Sequence, residues 1–375
     1  MSFILTEEHQ MLRDSARRFL AARSPVSALR GLRDFNVQDG FSREVWSEVA
    51  EIGLTGILIP EAYGGLGFGH VGAGLVCEQI GRNLAALPFL STAVLGAEAI
   101  SAGANEAEKQ RILPEISAGR HLVALAVDEG MRHAPDVTET TAKPNGGGYV
   151  LNGSKTFVID GHVADTLIVS ARTGAEDGLS LFLIDAMAPG VMVERVDMVD
   201  SHNMSRVDFR DVAVGYDELI GEADGASELI ERLLDIGRVC LAAEMLGIAQ
   251  EAFERTIGYL KERKQFGVTI GSFQGLQHRA AIMYAEIELA KSAVRRALEA
   301  VESDDGDLPK WASLAKAKTN ATVQLVTNEA IQMHGGIGMT DEFDIGFFLK
   351  RARVAQQTFG DYAFHADRFA RLNGY

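Results

Sequence analysis

Apolar residues recur with a helical period from residue 6 to about 120. Met11, Leu12, Phe19 and Leu20, with Ser15 among them, mark one stripe, and Val45, Val49, Ile52 and Leu54 mark another. The run Pro60-Glu61-Ala62-Tyr63-Gly64-Gly65-Leu66-Gly67 holds too much glycine for a helix and reads as a loop. Near residue 121 the period changes. His121–Val127, Gly148–Gly153, Thr166–Ser170, Leu179–Ile184 and Val207–Phe209 are short runs, many of them β-branched, broken by Gly and Asn. They predict an antiparallel sheet from about 121 to 221, with Asn152-Gly153-Ser154-Lys155 as a turn re-entering a strand. Beyond residue 224 the helical period returns, with helices expected at 225–264, 272–302, 309–335 and 341–372. The acidic Ser303–Asp307 stretch misses the calcium-loop spacing and reads as a solvated connection. The fold class is α+β: an N-terminal helical domain (1–120), a middle antiparallel β domain (121–222) and a C-terminal four-helix bundle (223–375).

Composition narrows the function classes. The chain has 375 residues, 47% of them hydrophobic, enough for two or three packed domains. A formal net charge of -16 argues against nucleic acid or an anionic membrane as a partner. Cys77 and Cys240 both sit in apolar helical patterns, which predicts buried reduced thiols and no metal site. Thr6 is the expected N-cap of the first helix, with Glu7 and Glu8 in its first turn. No signal peptide precedes it and no apolar run reaches the ~20 residues of a membrane span, so the expected location is cytoplasmic.

Two motifs carry the chemistry. Arg263-Lys264-Gln265-Phe266-Gly267, followed by Ser272-Phe273-Gln274, offers an arginine fork suited to a pyrophosphate. Gln332-Met333-His334-Gly335-Gly336-Ile337-Gly338 offers glycines that allow close backbone approach to a ligand. Each has a plainer reading, a surface arginine and an ordinary helix terminus. Together, in this order and with the three-part layout, they resemble the acyl-CoA dehydrogenase family, FAD-dependent enzymes that desaturate an acyl-CoA thioester between Cα and Cβ.

The resemblance covers nearly the whole chain and implies specific roles. Arg263, Gln265, Phe266, Phe273 and Gln274, with Gln332, Gly335 and Gly336, match the segments that reach across a dimer interface to a neighbour's FAD. Asp235 and Arg238 stand where the family carries a CoA-proximal Asp-x-x-Arg; their i, i+3 spacing equally suits an ion pair. The ring-facing segments depart from the family. Asp128-Glu129-Gly130 replaces Thr-Glu-Pro, His133-Ala134-Pro135 replaces Gly-Ser-Asp, and Phe157-Val158-Ile159 replaces Trp-Ile-Thr, leaving Phe157 and Ile159 at ring positions. The base position departs too: Thr358-Phe359-Gly360-Asp361 replaces Tyr-Glu-Gly-Thr, so Phe359 stands in place of the glutamate. Gly237 occupies the alternative base position. Asp361 and, two helical turns past Gly237, Glu244 are the carboxylates left to serve as base.

Three functional readings follow. One is an acyl-CoA dehydrogenase of fatty acid or steroid side-chain β-oxidation. It takes an acyl-CoA substrate, passes electrons to an electron-transferring flavoprotein, and forms a homo- or heterotetramer with a related acyl-CoA dehydrogenase chain. The second is a non-catalytic small subunit of a heteromeric enzyme that clamps its partner's FAD. The third is a binding or scaffold protein that keeps the fold without the chemistry.

Overall fold

The computed structural model describes residues 5–174 and 178–375. Helices come first: α1 (Glu7–Arg23), α2 (Val26–Asp34), α3 (Arg43–Glu51), α4 (His70–Asn83), α5 (Ala97–Gly103) and α6 (Glu106–Ser117). Strands follow: β1 (Val123–Ala126), β2 (Thr141–Pro144), β3 (Gly148–Ile159), β4 (Thr166–Arg172), β5 (Leu179–Asp185), β6 (Val191–Val196), β7 (Met204–Gly215) and β8 (Leu219–Ile220). The last section is helical again: α7 (Ser227–Glu262), α8 (Gln274–Glu302), α9 (Leu308–His334), α10 (Ile345–Gln357) and α11 (Tyr362–Leu372). The periodicity reading therefore holds in its order of layers. No helix among the described residues is long and apolar enough to cross a membrane.

The residues form two compact units. One joins the N-terminal stretch up to Gly31 with His70–Ala85 and Arg238–Tyr375; the other joins Leu32–Gly69 with Ala86–Gly237. In the helical unit α9 is central, packing on α8, α10 and α11, while α4 packs on α1 and α8. The crossing of α4 with α7 depends on two glycines. A Cβ on Gly81 would lie 2.0 Å from the Glu244 carbonyl oxygen, and one on Gly247 would lie 1.9 Å from that of Glu78. Only glycine lets the two backbones approach so closely. The Thr6 hydroxyl accepts the His9 N–H, as its N-cap role requires.

Three expectations need correcting. The segment 341–372 is two helices, because the chain turns at Thr358–Asp361 between α10 and α11. Asn152–Lys155 is no turn but the middle of β3, where the register against β7 shifts between Leu151 and Gly153 and again between Lys155 and Val158. Such bulges add a residue and bend a strand without ending it. The sheet, ordered β6-β7-β3-β2-β4-β5-β8 with β1 on β4, is mixed: β1 and β4 run parallel, as do β2 and β4 where they pair. An alternating pattern shows which face is buried but carries no strand direction. Leu151, Val158, Val169, Phe182, Phe209 and their neighbours fill one side of this sheet, with Tyr149 edge-on to Phe182 at 5.2 Å.

Candidate functional site

The helical unit brings the two motifs together. Helix α7 stops at Glu262, and the chain folds into a short hairpin in which Gln265 pairs with Val268. Phe266 and Gly267 form its tip, both left-handed, at φ +56 and +79. Positive φ at both tip positions is the type I′ geometry of a two-residue hairpin, which glycine tolerates and phenylalanine resists. Gly267 is thus the second residue of a hairpin tip, five residues beyond the helix end. The Phe266 ring is 90% exposed and meets Phe273 edge-on at 6.1 Å. Tyr259, one turn before Arg263, stacks on His334 at 4.5 Å, which places the Arg263 hairpin beside the Gly335-Gly336 end of α9. Among the described residues no hydrogen bond or ion pair engages the exposed Arg263 guanidinium. Among the described residues a Cβ on Gly335 or Gly336 would meet nothing within 4 Å. An unspent arginine fork beside two open glycines fits a dinucleotide pyrophosphate. Val268, Ile282, Leu289, Ile337 and Met339 add exposed apolar surface in this unit.

In the β unit the ring-facing positions behave differently. Phe157 is left-handed at φ +51 within the second bulge of β3, and Ile159 is half-buried. The Asp128 carboxylate faces its own loop, accepting from His133 Nδ1 at 2.8 Å and the Ala134 N–H at 3.2 Å. Its negative charge is thereby spent locally. Next to it, Lys155 is fully buried; its Nζ donates to Glu129 at 2.7 Å, to the Val127 carbonyl at 3.0 Å and to Ser170 at 3.0 Å. Burial pulls the Lys155 amine down to about 8, with Glu129 working in opposition. For Glu129, burial pushes the carboxyl up, but the Lys155 ammonium and hydrogen bonds from Lys155, Thr140 and Glu139 outweigh it and hold it below its ordinary value. This pair staples segment 127–130 to β3 and to Thr140. Lys155 lies in the polar Asn152–Thr156 stretch that reads as a turn, so nothing in its local sequence announces its burial.

The third group surrounds the turn between α10 and α11. Asp361 caps α11, its Oδ1 accepting the Phe364 N–H at 2.9 Å. Glu244 is buried and accepts from Arg351 Nε at 2.7 Å, so its charge is matched inside the helical unit. Arg238 on α7 is buried, and its Nε points to the Phe359 carbonyl at 3.4 Å; Asp235, three residues earlier on the same helix, is also buried and falls in the other compact unit. Sequence reasoning missed Lys316 and His365, both fully buried here. His365 Nε2 donates to the same Phe359 carbonyl at 3.0 Å, and among the described residues its Nδ1 is buried without a partner.

The His365 arrangement makes a testable pH effect. A protonated ring would bury an Nδ1–H with no acceptor, so the neutral ring fits. Burial, then the Lys316 and Arg238 charges and Arg368, push its pKa down to about 2, against the pull of the Phe359 carbonyl. Below the ordinary 6.5 the unfolded chain takes a proton that the folded one refuses, so stability falls as pH drops from that value towards 2. Near pH 5 the loss is about 2 kcal/mol relative to neutral pH. His365→Gln keeps an N–H for the carbonyl and cannot titrate. Its melting temperature should therefore depend less on pH between about 5 and 8 than that of the parent. Equal slopes in the two proteins would remove His365 as the cause.

Comparison with known proteins agrees with this layout. Residues 6–120, 126–212 and 224–372 match the models of the acyl-CoA dehydrogenase N-terminal, middle and C-terminal domains. The chain belongs to the acyl-CoA dehydrogenase family. It is 32% identical over 370 residues to the probable acyl-CoA dehydrogenase YngJ of Bacillus subtilis, covering 95% of each chain. It superposes on butyryl-CoA dehydrogenase from Megasphaera elsdenii with a TM-score of 0.92 at 27% identity, over 100% of both chains. It superposes equally, at 0.92 and 25% identity over 100% of both, on a chain of the ChsE4-ChsE5 complex from Mycobacterium tuberculosis.

Proposed function

We propose that this chain serves the FAD-dependent α,β-desaturation of an acyl-CoA thioester. The observation that carries the reading is the unspent Arg263 fork beside Gly335 and Gly336, joined by the Tyr259–His334 stack. Desaturation takes a proton from Cα and a hydride from Cβ, and leaves a carbon–carbon double bond. Bound FAD supplies the hydride acceptor, and an electron-transferring flavoprotein then takes the electrons onward. This chain's own work is to grip the dinucleotide with Arg263, Gln265, Gln274, Gln332 and the glycine backbone, and to remove the Cα proton. Asp361 is the residue we assign as base, using the oxygen left over from its cap, while the buried Glu244–Arg351 pair holds the helices. Arg238 and Asp235 act on the acyl-CoA site from within α7. A soluble cytoplasmic enzyme suits the acidic composition.

The test is direct. The purified protein should be yellow, and an acyl-CoA added without oxygen should bleach the oxidised-flavin absorbance. A colourless protein that binds no added FAD would sink the reading.

A second reading has its own support. Phe359 in place of the base and the Asp128–His133 pair in place of neutral donors both favour a small subunit that clamps a partner chain's FAD. Both readings place Arg263, Gln332 and Gly336 on a neighbour's cofactor, and the exposed apolar side chains of this unit suit such a neighbour. We therefore expect a homo- or heterotetramer in light scattering. A monomer at micromolar concentration would contradict both. Measuring the mass and the FAD stoichiometry, alone and with a co-expressed related chain, separates the two.

A further inference from the structure

Ending a helix needs little: a left-handed glycine and water on the last carbonyls suffice. The α10–α11 turn has far more. Lys316 Nζ lies 3.2 Å from Asn320 Oδ1, 3.0 Å from the Ala355 carbonyl, 3.2 Å from that of Gln356 and 3.0 Å from that of Gly360. Ala355 and Gln356 lie in the last turn of α10, so their carbonyls have no partner within the helix. Arg238 and His365 both converge on the Phe359 carbonyl, at 3.4 and 3.0 Å. Arg238 also lies over the Phe364 ring at 5.5 Å. Lys316, Arg238 and His365 are all fully buried. Burial, then the nearby Arg238 charge, lower the Lys316 amine well below its ordinary range, with Asp361 opposing.

What these donors hold is a strained backbone. Phe359 sits at φ +57 and Gly360 at +107. A bulky residue in the left-handed region carries a backbone cost. A Cβ on Gly360 would lie 2.5 Å from the Phe364 ring and 2.8 Å from His365 Nε2, so His365 can reach over the turn only because residue 360 is glycine. Three donor side chains, from α7, α9 and α11, thus fix a single turn.

The geometry points to Lys316, Arg238 and His365 as positioning residues that lock the Phe359–Gly360 turn, giving the Phe359 side chain one fixed place as an apolar wall of the acyl site. The claim rests on the proposed function, in which this turn stands beside the reacting carbons. A fixed wall decides which acyl chains fit; a loose one admits more of them.

The experiment uses the full chain, with a partner chain if one copurifies, and compares the parent with Lys316→Met, His365→Leu and His365→Gln. Hydrogen exchange of the amides from 356 to 361 is measured against the rest of α9 and α10. Calorimetry gives the affinities for butyryl-CoA and palmitoyl-CoA. Lys316→Met and His365→Leu should speed exchange at the turn by about tenfold or more, as expected for losing a buried hydrogen bond. They should also shift the ratio of the two affinities. His365→Gln, which keeps one N–H for the Phe359 carbonyl, should bring both readouts back towards the parent. Unchanged exchange at the turn overturns the lock, and a loosened turn with an unchanged affinity ratio overturns the wall. If Lys316→Met does not fold, the His365 pair decides alone. If the parent binds neither thioester, the functional reading falls and the wall with it, while the exchange data still judge the lock.

Discussion

Asp361→Asn should lower turnover by at least about 10²-fold, the usual loss when a general base is removed, with flavin content at the parent level. The substitution separates two roles that the structure gives one carboxylate. Oδ1 of Asp361 caps α11 through the Phe364 N–H, and asparagine caps a helix about as well as aspartate. The start of α11 and the turn before it therefore survive, and only the basic oxygen is lost. A melting temperature equal to the parent's, together with lost turnover, assigns the proton transfer to Asp361. Turnover that survives in the presence of a partner chain places the base on that partner, and the small-subunit reading replaces the main one. Phe359→Glu sharpens the contrast, since it puts a carboxylate where the family resemblance expects one. It should preserve or alter activity in a self-sufficient enzyme and change nothing in a chain without its own ring site.

Arg263→Ala should weaken FAD binding by ~1.5–3 kcal/mol, the range for hydrogen bonds to charged groups, which is roughly tenfold to 150-fold in affinity. Arg263→Lys should not restore it, because an ammonium cannot reproduce the two parallel N–H donors of the fork. The fold itself should be indifferent, since no partner among the described residues depends on this guanidinium. Flavin retention on gel filtration and titration of the apoprotein with FAD measure the effect. Retention equal to the parent's takes Arg263 out of the cofactor site.

Much of this protein is legible without coordinates because it is local. The period of apolar residues marks where helices give way to strands and back again, since each element shows its own buried face within a few residues. Thr6 announces its cap through the residues beside it. The Arg263 and Gln332 segments point to a cofactor because their donors and glycines are contiguous in the chain. None of this needed a distant contact.

What the tertiary structure alone decided is the part built from residues far apart. The 341–372 stretch has one unbroken helical pattern, yet it breaks at Phe359 and Gly360. The groups that hold the break open are Lys316, 44 residues before Gly360, and Arg238, 121 residues before Phe359. Asn152–Lys155 has the composition of a turn but stays in β3, because β7 supplies hydrogen bonds on both sides of the bulges. Only packing shows that Arg238 is buried with its Nε turned to the Phe359 carbonyl, a contact that no spacing along the chain announces. Glu244 reads as a spare carboxylate until Arg351, 107 residues on, is found beside it. Local periodicity reports the backbone each segment prefers. Where a buried charge finds its partner depends on which distant segments the core brings together, and that information is not carried by any one stretch of chain.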